Sequence, residues 1–525
     1  MVERQLTGRH AGAVDFEALN SWHTDAWKGL RVAVFGLGKT GFSVADTLVE
    51  LGSEVLVITQ QADDERARLL EVIGAELVVD ESLDVLAGGP PQRLLDFDPQ
   101  LVVANPGFPP SHPLLQWAEG EAALPVWGDI ELAWRLRDKV ARPDGTPVEW
   151  ITITGTNGKT TTTQLTATFL AAAGLRAAPA GNIGIPVLDA IRDPQGFDVL
   201  VIELSSHQLH RINLTGDGHG PAGELHPYAS VCLNIAEDHL EWHGSFEAYR
   251  AAKAKVYDNT KVACVYNKAD EVTMRMVEDA DVEEGARAIG FGLGVPGPSD
   301  FGVIEGILVD RAFLDERHHT ALELTTVDEL TAAGLSAPHV IANILAAAAL
   351  ARSYGVETGV IHEALKTFRL DAHRIETVAV ADGVTWVDDS KATNPHSADA
   401  SLKAFPSVVW VVGGLLKGVE VDELVAAHVE RLRGAVLIGA NRDELRAAFQ
   451  KHAPELPLFE VEGIGAGKGA AVMDAAVRFA ASLARDGDTV LLAPSAASMD
   501  QFTDYADRGK RFAEAVRKHL SGEQP

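Results

Sequence analysis

The sequence predicts an α/β protein of three domains, and three observations carry that prediction. Short β-branched runs alternate with helical patterns along the chain, which implies parallel sheets with crossover helices. Two of those runs, "RVAVFGLGKTG" and "WITITGTNGKTT", pass directly into glycine-rich turns that open a helix. The alternation restarts twice, once after the charged, Pro- and Gly-containing stretch "RDKVARPDGTPVE" at 137–149 and once near Arg369.

In chain order, residues 1–25 show no periodicity and are expected to form a mobile extension. The first domain, 26–147, holds a strand before Gly36, a helix over 42–51, the strand "SEVLVI" at 53–58 and a strand inside "LLDFDPQLVVANPGF", with 137–149 as its linker. The second, 148–369, holds the strands "WITIT", "DVLVIEL" and "ASVCLNI" and a helix over 158–173. Within it, 215–227 reads as a surface insertion with solvated His219 and His226, and the Gly/Pro-rich stretch 290–315 as short antiparallel strands. The third, 370–525, holds strands at 408–414, 434–439 and 488–494 with helices at 442–450 and 470–485.

The formal net charge of −30 argues against a surface that coats nucleic acid or docks on anionic lipid. It leaves anionic small substrates open, because a few lysines and backbone N–H groups can dominate locally. Cys232 and Cys264 lie in apolar strand-like runs and read as buried, reduced thiols, which fits a cytoplasmic protein. The N-terminus has no signal-like apolar run, and "ANILAAAALA" at 342–351 is too short to span a bilayer.

Gly36, Gly38 and Gly41 spell G-x-G-x-x-G after a strand. In a dinucleotide fold an acid about 20 residues on would hold the ribose, but Thr59 and Gln60 stand at the end of the second strand. NAD is therefore disfavoured. The turn is read either as a helix N-terminus facing another phosphorylated ligand or as a tight turn without one. "GIGAGKGA" at 463–470 has Lys468 but no following Ser or Thr, and reads as a flexible helix entry. "TGTNGKTTT" differs. It has two residues between Gly155 and Gly158 where a Walker loop has four, yet it keeps Lys159 to offset phosphate charge and Thr160 to reach Mg²⁺.

That motif, with "GNIG" (181–184), "ELSSHQL" (203–209), "LNIAEDHLEWHG" (233–244), "YRAAKAKVY" (249–257), "AHRIE" (372–376), "DDSKATN" (388–394) and "PSAASMDQFTDYADRG" (494–509), resembles the Mur ligase superfamily over nearly all of the chain beyond residue 30. The resemblance implies a Rossmann-like N-terminal unit for a UDP-linked substrate, a central P-loop ATPase-type α/β domain and a Rossmann-like C-terminal domain for an amino acid. "DSKATN" points to the branch that adds D-glutamate to UDP-N-acetylmuramoyl-L-alanine with ATP, through an acyl phosphate, in cytoplasmic peptidoglycan precursor synthesis. That step serves cell-wall biogenesis and hence cell shape and division. A sibling ligase using another amino acid and a non-catalytic UDP-sugar-binding homologue are the alternatives. A monomer without membrane or nucleic-acid partners is expected.

Residue by residue, the resemblance implies ATP binding by Gly155, Thr156, Asn157, Gly158, Lys159, Thr160, Thr161, Asn343, Arg374 and Asp389. It implies two Mg²⁺ ions held among Thr160, Glu203, His239 and Lys253, the lysine as a carbamate. Lys159 would stabilise the transferring phosphoryl group, giving a catalytic set of Lys159, Thr160, Glu203, His239 and Lys253. The UDP-substrate would meet Leu37, Lys39, Thr40, Thr59, Gln60, Asn105, Pro106, Gly107, Asn182 and Ser205. D-Glutamate would meet Lys391, Thr393, Lys417, Ser498 and Tyr505, and the third domain would close by a hinge near 366–371. His207 stands where the family usually has Phe.

Overall fold

A computed structural model describes residues 14–85, 89–212, 224–416, 418–461 and 468–522. Lys417, His219, most of the expected insertion and the glycine run at 463–467 lie outside the described residues.

The first sheet has five parallel strands: β1 (Arg31–Phe35), β2 (Glu54–Thr59), β3 (Glu76–Val79), β4 (Leu101–Ala104) and β5 (Val126–Gly128). Their order is β3-β2-β1-β4-β5. The order reverses between β1 and β4, which opens a crevice at the carboxyl ends of those two strands. β1 and β4 are apolar on both faces because helices cover both, as parallel sheets require.

The second sheet has nine strands: β6 (Glu149–Thr154), β7 (Ala177–Gly181), β8 (Val199–Glu203), β9 (Ala229–Cys232), β10 (Ala263–Asn267), β11 (Arg287–Phe291), β12 (Asp300–Ile304), β13 (Ile307–Asp310) and β14 (Leu322–Thr326). The order is β14-β13-β12-β11-β10-β9-β6-β8-β7. β13 alone runs against the other strands, pairing antiparallel with both β12 and β14, and the short antiparallel strands expected in 290–315 are β12 and β13. The third sheet, in the order β15-β16-β20-β17-β18-β19, comprises β15 (Glu376–Ala381), β16 (Val384–Asp388), β17 (Val408–Gly413), β18 (Leu432–Ile438), β19 (Leu458–Glu460) and β20 (Thr489–Leu492). Only β15 is antiparallel.

The chain divides into two compact units, Met1–Glu329 with Ala342–Thr367 and Leu330–Ile341 with Phe368–Pro525. The first unit contains the first two sheets, which share one continuous buried cluster running from Val32 and Trp127 to Trp150 and Ile202. Trp134 meets Trp150 edge-on at 5.1 Å. Polar fasteners add direction: Ser43 donates to Asp189 at 2.6 Å, and Arg192 pairs with Asp46 at 2.6 Å and Glu50 at 2.9 Å.

The mobile extension expected over 1–25 needs correction in its described part. Leu19 is fully buried, Phe16 meets Trp127 edge-on, and the Phe16 carbonyl accepts from Arg135 at 3.1 Å. The segment follows neither a helix nor a strand period, so periodicity could not reveal that it docks. The 137–149 linker is likewise fastened: Asp138 accepts from Trp22 N–H at 2.8 Å and from the Ser21 hydroxyl at 2.5 Å. No helix among the described residues is long and apolar enough to cross a membrane. Cys232 and Cys264 are free and buried, as their strand contexts suggested.

Candidate active site

β6 is buried from Trp150 to Thr154 and ends in a loop whose two glycines take positive φ, +146° at Gly155 and +85° at Gly158. The helix Lys159–Ala172 starts immediately after. A Cβ on Gly158 would stand 2.5 Å from Asn343 Oδ1, so the buried Asn343 seals one side of the loop and only glycine fits there. The shortened loop draws its shape from the segment after β9. Thr156 N–H donates to Asn234 O at 2.9 Å, Asn157 N–H to Asn234 Oδ1 at 2.8 Å, and Asn234 Nδ2 to Asn157 O at 3.1 Å. The Thr156 hydroxyl is bonded to Ala236 and to Tyr249. Gly158 caps the helix and Lys159, Thr160 and Thr161 form its first turn, the end of a helix that favours a phosphate. Lys159 Nζ rests on Gly155 O at 2.8 Å and Thr156 O at 2.9 Å.

Beside this loop lies Lys253, 2% exposed, on the helix Phe246–Ala254. Its Nζ donates to Gly155 O at 2.9 Å and Thr154 Oγ1 at 3.1 Å. Burial, reinforced by the Lys159 charge, pushes its pKa from 10.5 down to about 7. Glu203, 1% exposed, ends β8 next to β6. Asn182 Nδ2 donates to its Oε1 at 2.8 Å, while Oε2 is buried with no hydrogen-bond partner. An orphaned carboxylate oxygen at the end of the strand next to β6 fits a bound cation. His239 is exposed, with a left-handed φ of +52°, and stands 3.6 Å from Asp238. His207, half-buried, stacks on Trp242 at 4.4 Å and meets His239 edge-on at 4.7 Å, so a flat ring is retained at that position. Lys255 Nζ donates to His210 O and Ile212 O and closes the C-terminus of the helix Ser206–His210.

At the crevice between β1 and β4, Gly36, Leu37 and Gly38 lead into the helix Lys39–Glu50. A Cβ on Gly41 would stand 2.0 Å from Gly36 O, so the third glycine lets helix and strand touch. Asn105 follows β4, reaches the same turn (3.0 Å from a Cβ placed on Gly36), and accepts from Gly107 N–H at 3.3 Å. Lys39 and Thr40 open the helix, Pro106 and Gly107 continue the Asn105 turn, and Thr59 and Gln60 follow on from β2 next to β1, so eight of the expected uridine contacts converge. Thr59 is turned inward, its hydroxyl on Gln61 O at 3.0 Å. Asn182 and Ser205 lie instead beside Glu203. Ser205 caps its helix reciprocally with Gln208, and Gln208 Nε2 donates to the buried Asp129 at 2.9 Å. Burial raises the Asp129 carboxyl to about 6.

In the second unit, Lys391 Nζ sits 3.8 Å over the Tyr505 ring, and Thr393 N–H donates to Lys391 O. Ser498 is buried. Sequence reasoning missed the residue that gathers these segments. Arg508, fully buried, donates to Ser390 Oγ at 3.0 Å, Ser390 O at 2.9 Å and Ala496 O at 3.0 Å. It lies inside the quoted "DYADRG", but nothing local marks an arginine as buried. Arg374 is half-buried, next to His373, whose Nδ1 lies 2.6 Å from Asp388. Asp389 is buried and raised to about 6, accepting from Ile375 N–H and the Ser401 hydroxyl. Of the expected ATP contacts, Asn343 thus belongs to the first unit with the loop, and Arg374 and Asp389 to the second.

Residues 153–351 match the family described as Mur ligase middle domain, and residues 373–496 that described as Mur ligase, glutamate ligase domain. The chain is 66% identical over 507 residues to the UDP-N-acetylmuramoylalanine–D-glutamate ligase of Leifsonia xyli, covering 96% of this chain and 95% of that protein. It is 50% identical over 495 residues to the protein of the same name from Streptomyces avermitilis, covering 94% and 98%. In fold it is similar to a pseudomurein peptide ligase type C from Methanothermus fervidus, with a TM-score of 0.54, 18% identity, and 93% and 100% of the two chains covered. Sequence, sheets and loop geometry agree, and the chain belongs to the Mur ligase family.

Proposed function

We propose that this protein is an ATP-dependent amide-forming ligase that adds D-glutamate to UDP-N-acetylmuramoyl-L-alanine during cytoplasmic peptidoglycan precursor synthesis, and so serves wall growth and division. The observation that carries the reading is the meeting of a Lys-Thr phosphate loop with buried Lys253 and Glu203 at the carboxyl ends of β6 and β8. The reaction must bring a carboxylate against a triphosphate, and like charges repel unless cations intervene. Lys159 offsets charge on the phosphoryl group being transferred to the alanyl carboxylate. The amine of D-glutamate then attacks the acyl carbon, and phosphate leaves with the C–O electron pair.

Thr160, Glu203, His239 and a carbamate on Lys253 would hold Mg²⁺, which when bound supplies charge neutralisation of the phosphates. A carbamate forms only on a neutral amine, and the low pKa of Lys253 supplies one near pH 7. The Gly36 and Asn105 turns would hold the uridine diphosphate. Lys391, Thr393, Lys417, Ser498 and Tyr505 would hold the acceptor, with the lysines pairing its carboxylates. Arg374 would meet a phosphate and Asp389 the ribose.

The test offers D-glutamate, L-glutamate and diaminopimelate separately to protein, ATP, Mg²⁺ and UDP-N-acetylmuramoyl-L-alanine, and measures phosphate release. Turnover with D-glutamate alone is expected. Turnover with another acceptor moves the protein to a sibling activity, and none with any acceptor overturns the catalytic reading.

A further inference from the structure

Tyr249 is among the largest fully buried side chains and has no part in the chemistry above. It lies four residues before Lys253 on the helix Phe246–Ala254, hence on the same face. Its hydroxyl is 2.8 Å from Thr156 Oγ1. The Thr156 hydroxyl donates to Ala236 O at 3.2 Å and accepts from Ala236 N–H at 2.9 Å, so the tyrosine is the donor in the remaining bond. The ring centroid lies 5.0 Å from Lys253 Nζ, and the ring meets His243 at 5.4 Å. One side chain thus touches the phosphate loop after β6 and the Lys253 side chain, and through Thr156 it reaches the loop after β9 that carries His239.

We propose that Tyr249 is a positioning residue that locks the phosphate loop against Lys253, its hydroxyl fixing Thr156 and its ring face seating the lysine. Thr156 lies between Gly155 and Gly158, the most pliant backbone in the site, so its side chain is an anchor the loop cannot replace from its own residues. The ring packs against the Lys253 side chain, an apolar contact in every protonation state and a favourable one for the amine while it is protonated. The inference rests on the reading of this loop as the ATP site.

Tyr249→Phe removes one hydroxyl and keeps the ring. Binding of a non-hydrolysable ATP analogue with Mg²⁺, measured by calorimetry, is expected to weaken roughly five- to tenfold, the effect of one buried neutral hydrogen bond. KM for ATP should rise by the same factor while KM for the uridine substrate stays unchanged. Thr156→Val should weaken binding at least as much, since it also loses the two Ala236 bonds, and the double variant should be no worse than Thr156→Val alone, a non-additivity that general loosening of the fold does not give. Equal affinity of wild type and Tyr249→Phe, or additive losses in the double variant, overturns the inference. A wild-type protein that binds no analogue overturns the ATP reading itself, and is distinguished because the failure is then present before any substitution.

Discussion

Replacing Lys253 with methionine removes a buried cation while keeping the length and volume of the side chain. The amine is 2% exposed and titrates at about 7 in the folded protein against 10.5 in an unfolded chain. Between those values the unfolded state binds more protons, so this group makes stability rise with pH from about 7 to 10.5. Below pH 7 the folded protein bears the whole cost of burying the charge. The drop from 10.5 to about 7, at about 1.4 kcal/mol per pH unit, sets that cost at about 5 kcal/mol. From pH 7 to pH 9 it falls by about 2 kcal/mol. Lys253→Met is therefore expected to be inactive yet more stable than wild type, with a stability gain largest at or below pH 7 and about 2 kcal/mol smaller at pH 9. Urea unfolding of both proteins in CO₂-free buffer, followed by tryptophan fluorescence, reads this. Seven of the nine tryptophans (22, 27, 117, 127, 134, 150 and 242) lie in the first unit, so the signal reports the unit that holds Lys253. A stability difference that is flat in pH from 7 to 9 would refute the claim that Lys253 is a desolvated amine.

Three further outcomes are expected. Lys159→Ala should lower kcat for phosphate release by roughly a hundredfold or more, as removal of a preorganised charge from phosphoryl transfer does; loss of less than threefold would place the catalytic cation elsewhere. Gly158→Ala should weaken ATP-analogue binding at least tenfold, because the φ of +85° and the 2.5 Å approach of Asn343 Oδ1 force the loop to move; unchanged calorimetric affinity would show that the loop tolerates a Cβ. His210 is held at about 4, mainly by burial and then by the charges of Arg211 and Lys255, with Glu119 opposing them. It stays neutral in the folded protein while the unfolded chain protonates below 6.5, so its contribution is lost as pH falls from 6.5 towards 4. His210→Phe should shallow the acid side of the stability–pH curve by about one proton, and an unchanged slope would contradict the burial argument.

The strand–turn–helix around Gly155 and Gly158 was legible because strand, glycine turn and Lys-Thr pair are adjacent in the chain, and their spacing is itself the local structure. The same holds for the Gly36 turn: β1 and the helix after it followed from a β-branched run and three glycines, and the missing acid at Thr59 and Gln60 steered the reading away from NAD. Asn234 was quoted within a motif but given no role, since its clamp on Thr156 and Asn157 spans 77 and 78 positions in the sequence. Asp129, which reaches Gln208 from the other sheet of the first unit, left no signal at all. Residues 14–25 were misread because docking without a helix or strand period produces no pattern to detect.

What the sequence by itself determined was the alternation of strand and helix in three stretches, the two glycine turns and the identity of the residues in them, since each depends on residues a few positions apart. Tertiary structure alone decided the surroundings of those groups: that burial pulls the Lys253 pKa down to about 7, that Glu203 keeps one oxygen unpaired, and that the Thr156 hydroxyl is shared between Ala236 and Tyr249. A side chain's charge and hydrogen bonds are set by the atoms packed around it, and at this site those atoms come from strands far apart in the chain.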